Sequence, residues 1–352
     1  MTKTARLLVS SLVCLLGLAF GGTAFAAYNP SLLVAGSSHA LGSGGPVIIG
    51  VGQDQNDDAT GVVTIYSPLG YNVTLGQSPG TRIGTLEAVV RVGALGGARV
   101  EIQGTVTARN PAEYVSNPCS PGLHEAVWLI EATLAGNPLQ IPAYVDRVTA
   151  GAEAAFASAR IRICLASPYV PPPQGAAAGA SLIVAAFSVQ NVFSNPSTRG
   201  RYPWQGQFVP YTPGTATLNP GNAAQSVSIT SLPVQLAVSA RRIRRRGRTF
   251  ARVTACLTEA GTGIRGLRVN IIGGRSPGAR ARLARPRTNS RGCATVLLRV
   301  RFRVQYFRAT VAVPDRDVTS QGCTPTLAPR CTAVTLAPVF NLVSRNRARV
   351  RR

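Results

Sequence analysis

The fold is decided by residues 293–306, which read CATVLLRVRFRVQY. Every second position from residue 296 is apolar, and this set comprises Val296, Leu298, Val300, Phe302, Val304 and Tyr306. The positions between them are mostly polar or basic and include three arginines. A period of two is that of a β-strand with one buried and one solvated face. The stretch therefore predicts a strand that buries its apolar side and presents arginine outward.

The flanking sequence repeats this alternation in short segments separated by turn residues. We predict strands at residues 234–240, 249–258, 266–272, 306–313 and 332–339. Residues 241–248 are expected to form a basic turn and residues 276–287 a long basic loop. About seven short strands with turns between them favour an immunoglobulin-like β-sandwich over residues 234–340. Residues 341–352 are then expected to be a basic tail.

Four segments of this region carry a resemblance. They are VTACLT at 253–258, GIRGLRVN at 263–270, TNSRGCATV at 288–296 and YFRATV at 306–311. Together they resemble a bacterial immunoglobulin-like domain of the intimin/invasin type, or a related carboxypeptidase-regulatory-like β-sandwich. The sequence departs from that pattern at Ile264 and Arg265, where Pro-Val is usual, and at Asn289, where Asp is usual. The resemblance implies a spacer or adhesion module without catalytic residues.

The amino-terminal two-thirds is also predicted to be all β. Alternating segments at 61–66, 71–75, 86–92, 98–107, 126–134 and 157–165 are separated by Gly, Pro and Asn turns. The proline-rich residues 171–175 mark a possible split, but the strands that follow are few. We therefore expect residues 28–232 to form one large β-sandwich-like unit. This part resembles the amino-terminal region of exported actinobacterial proteins, and that likeness implies no chemistry.

The first 26 residues have the three parts of a secretory signal. Lys3 and Arg6 supply positive charge, residues 7–20 are mostly apolar, and Ala24-Phe25-Ala26 is a small-x-small cleavage pattern. The apolar stretch is shorter than the ~20 residues that a membrane helix needs. We predict a signal peptide at 1–26 and no membrane span after cleavage. The expected location is secreted or extracellular, including association with the cell envelope.

Cysteine usage fits export. Six cysteines remain outside the predicted signal peptide, and an even number in an exported chain favours disulfides. Pairing sequence neighbours gives Cys119 with Cys164, Cys256 with Cys293, and Cys323 with Cys331. The closely spaced Cys-x₂₋₄-Cys pairs of zinc sites are absent. We expect no metal and no cofactor.

Positive charge is concentrated at the carboxyl end. Residues 28–235 hold nine arginines against ten acids, whereas residues 236–352 hold 26 against three, a net of about +23. We predict a polyanion-binding surface made of Arg241, Arg242, Arg244, Arg245, Arg246, Arg248, Arg299, Arg301 and Arg303. Its partner would be an anionic cell-wall polymer or acidic polysaccharide, not a specific nucleic acid. Because Lys3 is the only lysine, a general compositional preference for arginine remains the alternative.

The sequence contains no complete motif for catalysis or metal binding. The segment His124-Glu-Ala-Val-Trp128 lacks the second histidine of a zinc protease. Residues 54–58 resemble the start of a calcium-binding loop, but the glycine and the bidentate glutamate that such a loop requires are missing. We therefore expect a non-catalytic structural or adhesive protein. The alternative is an exported enzyme or carbohydrate-binding protein using the amino-terminal unit. Its candidates would be paired strand acids or exposed aromatic rings, and these are Glu87, Glu101, Glu125, Glu131, Tyr202, Trp204, Phe208 and Tyr211.

Overall fold

The computed structural model describes residues 28–172, 175–314 and 339–352, and it confirms the all-β fold class. Its helical content is limited to 3₁₀ turns at Gly93–Leu95, Pro111–Tyr114, Ala152–Ala155, Ala177–Gly179 and Pro220–Asn222. In these ranges no helix has the length and apolar character to span a membrane. The predicted signal peptide, the Cys323 and Cys331 pair and most of the strand expected at 332–339 lie outside the described residues.

Residues 28–232 contain thirteen strands. They are β1 (Ser31–Gly36), β2 (Val47–Gly52), β3 (Thr60–Pro68), β4 (Asn72–Val73), β5 (Arg82–Val92), β6 (Ala98–Arg109), β7 (Ala126–Leu134), β8 (Asn137–Arg147), β9 (Ala157–Cys164), β10 (Ala180–Val189), β11 (Phe193–Ser194), β12 (Gly200–Pro210) and β13 (Ala224–Leu232). Eleven of them form one antiparallel sheet in the order β1-β2-β10-β5-β6-β7-β8-β9-β3-β12-β13. The short β4 and β11 pair with each other.

The large sheet curls until its first and last strands lie side by side. The backbone N–H groups of Leu32 and Val34 in β1 donate to the hydroxyls of Ser226 and Ser228 in β13, at 3.0 and 2.9 Å. Side-chain oxygens thus take the place of a backbone ladder at the seam. An unpaired strand edge exposes backbone donors and acceptors. The two serines therefore accept hydrogen bonds from backbone N–H groups of β1 that would otherwise have no partner at the seam.

Strand alternation directs one face of this sheet inward. In β9, Ala157, Ala159, Ile161 and Ile163 are buried, while the side chains between them are partly exposed. The predicted alternation in this region is therefore observed, and the inward faces build one large hydrophobic core. The strands that follow the proline-rich residues 171–175 pair with strands that precede them: β10 with β2 and β5, and β12 with β3.

The remaining strands lie in two further sheets. They are β14 (Val234–Arg245), β15 (Arg248–Glu259), β16 (Thr262–Gly263), β17 (Asn270–Gly274), β18 (Arg282–Ala284), β19 (Cys293–Arg299), β20 (Val304–Pro314), β21 (Val339–Val343) and β22 (Ala348–Arg351). The first sheet holds β14, β15, β16 and β19, and the second holds β17, β18, β20, β21 and β22. A separate hydrophobic core is built from residues of both sheets.

Three details of this region differ from the sequence predictions. Residues 241–245, expected in a basic turn, continue β14, and the turn is confined to Arg246 and Gly247. The expected long loop at 276–287 contains β18. The strand predicted through Tyr306 ends at Arg299, and Phe302 is 38% exposed. Alternation does not mark where a chain crosses from one sheet to the next, and here it crosses between Val300 and Arg303.

The segment at 341–352, expected to be a basic tail, is part of the second sheet. Both β21 and β22 pair with β20, and Val350 is buried in the core of this region. Asn346 connects the segment to the first sheet, because its side chain accepts from the Val238 N–H at 3.0 Å and donates to the Val238 carbonyl at 2.6 Å. Arg349 and Arg351 therefore lie on a folded strand, whereas Arg345 and Arg347 lie in the connection between β21 and β22.

We expect Asn346→Ala to destabilise the carboxyl-terminal sheets by about 2 kcal/mol, because it leaves both backbone groups of the buried Val238 without a partner. For a region of this size the melting temperature should fall by roughly 10 °C, at about 4–8 °C per kcal/mol. Differential scanning calorimetry measures the shift. Asn341→Ala, which alters an exposed asparagine on β21, is the matched control. Equal melting temperatures for the two variants would contradict the bridging role of Asn346.

Candidate functional site

The candidate site is a row of arginines positioned by the β14–β15 hairpin. Arg246 and Gly247 form its two-residue turn with φ of 46° and 71°, and two positive φ angles are those of a type I′ turn. A tight turn fixes the register of both strands, so Arg245 lies opposite Arg248 and Arg241 lies opposite Arg252. Residues that are directly opposite each other share one face of the sheet.

That face is the outer one. Its neighbours on the opposite face include Val253, Ala255 and Leu257, which are fully buried. β19 adds Arg299, which lies opposite Phe250 on β15. We call the resulting exposed set the arginine face, and it consists of Arg241, Arg245, Arg248, Arg252 and Arg299.

The other predicted arginines are exposed but lie elsewhere. Arg242 and Arg244 alternate to the opposite side of the hairpin, and Arg246 is in its turn. Arg301 and Arg303 are in the connection between β19 and β20. The structure thus brings together four of the nine predicted residues, and it adds Arg252. A two-residue turn at 246–247 would have indicated Arg252 from sequence, because it places residue 252 across from residue 241.

Few acidic side chains could form ion pairs with the arginine face. In the described part of the carboxyl-terminal third, Glu259 is the single acidic residue. It ends β15, seven residues from Arg252, which is the nearest arginine of this face on that strand and lies roughly 23 Å away at ~3.3 Å per residue. The side chains of the arginine face therefore remain available to an external anion.

A disulfide fastens the same sheet. Cys256 and Cys293 are direct register partners on the outer face, and their sulfurs are bonded. A second disulfide joins Cys119 to Cys164 in the large sheet. Both are the pairings expected between sequence neighbours. Between the Cys256–Cys293 bond and the arginine face, the hydroxyl groups of Thr254 and Thr295 share a hydrogen bond of 3.0 Å. This bond helps to hold β15 and β19 together.

The two described histidines are held in structural positions. His124 is buried, with Nδ1 at 3.0 Å from Asp146 and Nε2 at 2.9 Å from the Ser120 carbonyl. These contacts fasten the loop before β7. His39 lies before β2, where burial lowers its pKa to about 4 and keeps the ring neutral near pH 7.

The aromatic residues considered for sugar binding are mostly in the core. Tyr202, Trp204 and Phe208 are at most 9% exposed. The ring of Trp204 lies 5.1 Å from those of Tyr71 and Phe193. Buried rings cannot stack on a polysaccharide, so Tyr202, Trp204 and Phe208 give no support to a carbohydrate-binding role, whereas Tyr211 is partly exposed.

The acids considered for glycoside hydrolysis point outward. Glu131 pairs with Arg109 at 2.8 Å and Glu125 pairs with Arg147, while Glu87 and Glu101 are exposed. In the acidic loop at 54–58, Asp57 accepts the backbone N–H groups of Asn29 and Asp54. Burial raises the pKa of Asp57 despite these bonds. Across the described ranges, no group of three His, Cys, Asp or Glu residues is placed to hold a metal.

Comparison with known proteins assigns no family. No protein-family model matches this chain, and no curated protein matches it significantly. The geometry of the arginine face and the fold that carries it are therefore the observations that bear on function.

Proposed function

We propose that this protein is exported and acts without catalysis at the cell envelope, where its arginine face binds an anionic polymer. The observation that carries the proposal is the pairing of like charges on that face. Arg241 lies opposite Arg252, and Arg245 lies opposite Arg248. Like charges directly opposite on adjacent strands cost stability. A bound polyanion would remove that cost and turn the pairs into a binding surface.

The fold supports a structural or adhesive role. β14, β15 and β19 form one sheet, and β17, β20 and β21 belong to the other. In immunoglobulin-like sandwiches the first, second and fifth main strands likewise share one sheet, and the third, sixth and seventh share the other. This order supports the proposed likeness to bacterial immunoglobulin-like domains. The two disulfides indicate an oxidising environment, which supports export.

The proposed partner is a polymer of phosphate or carboxylate groups, such as an anionic wall polymer or acidic polysaccharide. Guanidinium groups bind both anions through paired, charge-assisted hydrogen bonds. An extended polymer fits better than a small anion, because the arginine face runs over three strands spaced ~4.8 Å apart. Binding of this kind depends steeply on salt.

Cell fractionation with a salt wash tests the proposal. At low ionic strength the protein should sediment with the envelope, and high salt should release it into the supernatant. An exported protein without wall association serves as the control for leakage. Recovery of the whole protein from the medium at low salt would contradict envelope binding.

A further inference from the structure

The large sheet holds a partly open cavity of about 540 Å³. Protein interiors are close-packed and rarely contain a void larger than one water molecule, so a space of this size is not an ordinary packing defect. It falls within the roughly 300–1,000 Å³ of small-molecule sites. The cavity lies at one end of the sheet, where β7 and β9 end and β3 and β8 begin.

The wall of this cavity is aliphatic and uncharged. Among the described residues that line it there is no Asp, Glu, Lys, Arg or His, and Phe187 is the single aromatic side chain. The polar side chains in the wall are few: Thr60 is already hydrogen-bonded to Tyr28 and Gln53, Gln140 is largely exposed to solvent, and Ser181 is partly exposed. Such a wall offers little to a sugar, a nucleotide or an ion, and it matches a hydrocarbon.

Two small residues create much of the space. Ala88 on β5 and Ala185 on β10 are direct register partners, and both line the cavity. Larger side chains at these adjacent positions would fill the region between Leu86, Val90 and Leu182. The cavity is thus open because the sequence places alanine at these two inward positions.

The two ends of the interior differ. The far end is filled by rings, with Phe193 at 6.5 Å from Trp128 and 5.1 Å from Trp204. At the cavity end, described residues of the connection from β9 to β10, including Leu165 and Pro168, form part of the wall. The interior is therefore a blind pocket.

The loops at the cavity end also carry exposed apolar side chains. Leu95 is 54% exposed, Tyr169 is 38% exposed and Leu218 is 37% exposed. They belong to the β5–β6, β9–β10 and β12–β13 connections, all of which leave the sheet at this end. The loops at this end therefore present apolar as well as polar side chains to an approaching ligand.

We propose that this cavity binds one fatty-acyl chain, with the hydrocarbon inside the sheet and the polar headgroup at the loop end. The blind, aliphatic interior accepts the chain, and the uncharged wall excludes a charged headgroup because burying an unpaired charge is costly. This site lies in the large sheet, apart from the arginine face, and does not depend on the function proposed for that face.

The test is titration of the purified, delipidated protein with cis-parinaric acid, a fluorescent fatty acid. Fluorescence should rise saturably, and palmitate should displace the probe. Ala88→Phe combined with Ala185→Leu should weaken binding at least tenfold, because the new side chains occupy the space of the acyl chain. The melting temperature should be kept or raised, since the substitutions fill empty volume.

Ala150→Phe is the control, because it adds the same ring at an exposed position at the opposite end of the sheet. It should bind the probe like the wild type. Absence of saturable binding by the wild-type protein would overturn the proposal. So would unchanged binding by the folded double variant. If the double variant fails to fold, Ala185→Leu alone decides the matter by the same titration.

Discussion

Replacing the five residues of the arginine face by glutamine should weaken binding to linear polyphosphate about 100-fold at low salt. Each exposed ion pair is worth about 0.5–0.6 kcal/mol. Five such pairs sum to roughly 2.5–3 kcal/mol, and 1.4 kcal/mol is tenfold in affinity. The salt dependence should also become shallower. At ~0.7 per phosphate contact on a single strand, the slope of log K against log salt should fall by about 3–4.

The control removes the same charge from other exposed positions. It carries glutamine at Arg275, Arg280, Arg285, Arg287 and Arg291, which lie outside the β14–β15–β19 sheet. This variant has the same net charge and should keep most of its affinity. Fluorescence anisotropy with labelled polyphosphate compares the two at several salt concentrations. Equal losses would mean that total charge, not the arginine face, drives binding, and would favour the compositional interpretation of the arginines.

Local patterns predicted most of the long strands, because a period of two depends only on which face is buried, but they did not indicate β1, β2 or β8. The inward set Val253, Ala255 and Leu257 is fully buried, as the sequence alternation predicts. The pairing of Cys256 with Cys293 follows from the same alternation together with the order of neighbouring strands. Both features can be predicted from local alternation and the order of neighbouring strands, without contacts between distant parts of the chain.

Long-range features were not predictable in this way. Closure of the eleven-stranded sheet depends on β1 meeting β13, some 190 residues later, through Ser226 and Ser228. The cavity depends on Ala88 facing Ala185 across a strand pair that no local pattern specifies. The role of Asn346 was missed because twelve residues rich in arginine resemble a solvated tail. Its side-chain contact with Val238 exists only in the folded sheets.

The disulfides provide the other large predicted effect. Replacing Cys119 and Cys164 by serine, or Cys256 and Cys293 by serine, should each cost about 4 kcal/mol in the chain-entropy model, because the closed loops are similar in length. The separations are 45 and 37 residues. Each bond closes a loop within one unit of the chain, since the first hydrophobic core contains residues up to Leu232 and the second begins at Val234.

The two variants should therefore affect different unfolding transitions. Calorimetry of the wild type should show two transitions, because the large sheet and the carboxyl-terminal sheets share no strand within the described residues. Loss of the first disulfide should lower only the transition of the large sheet, and loss of the second only that of the smaller unit. A single transition lowered equally by both variants would show one cooperative body. The division of the chain into two units at residues 232–234 would then be wrong, because loss of the Cys256–Cys293 bond would have destabilised the strands of the large sheet as well.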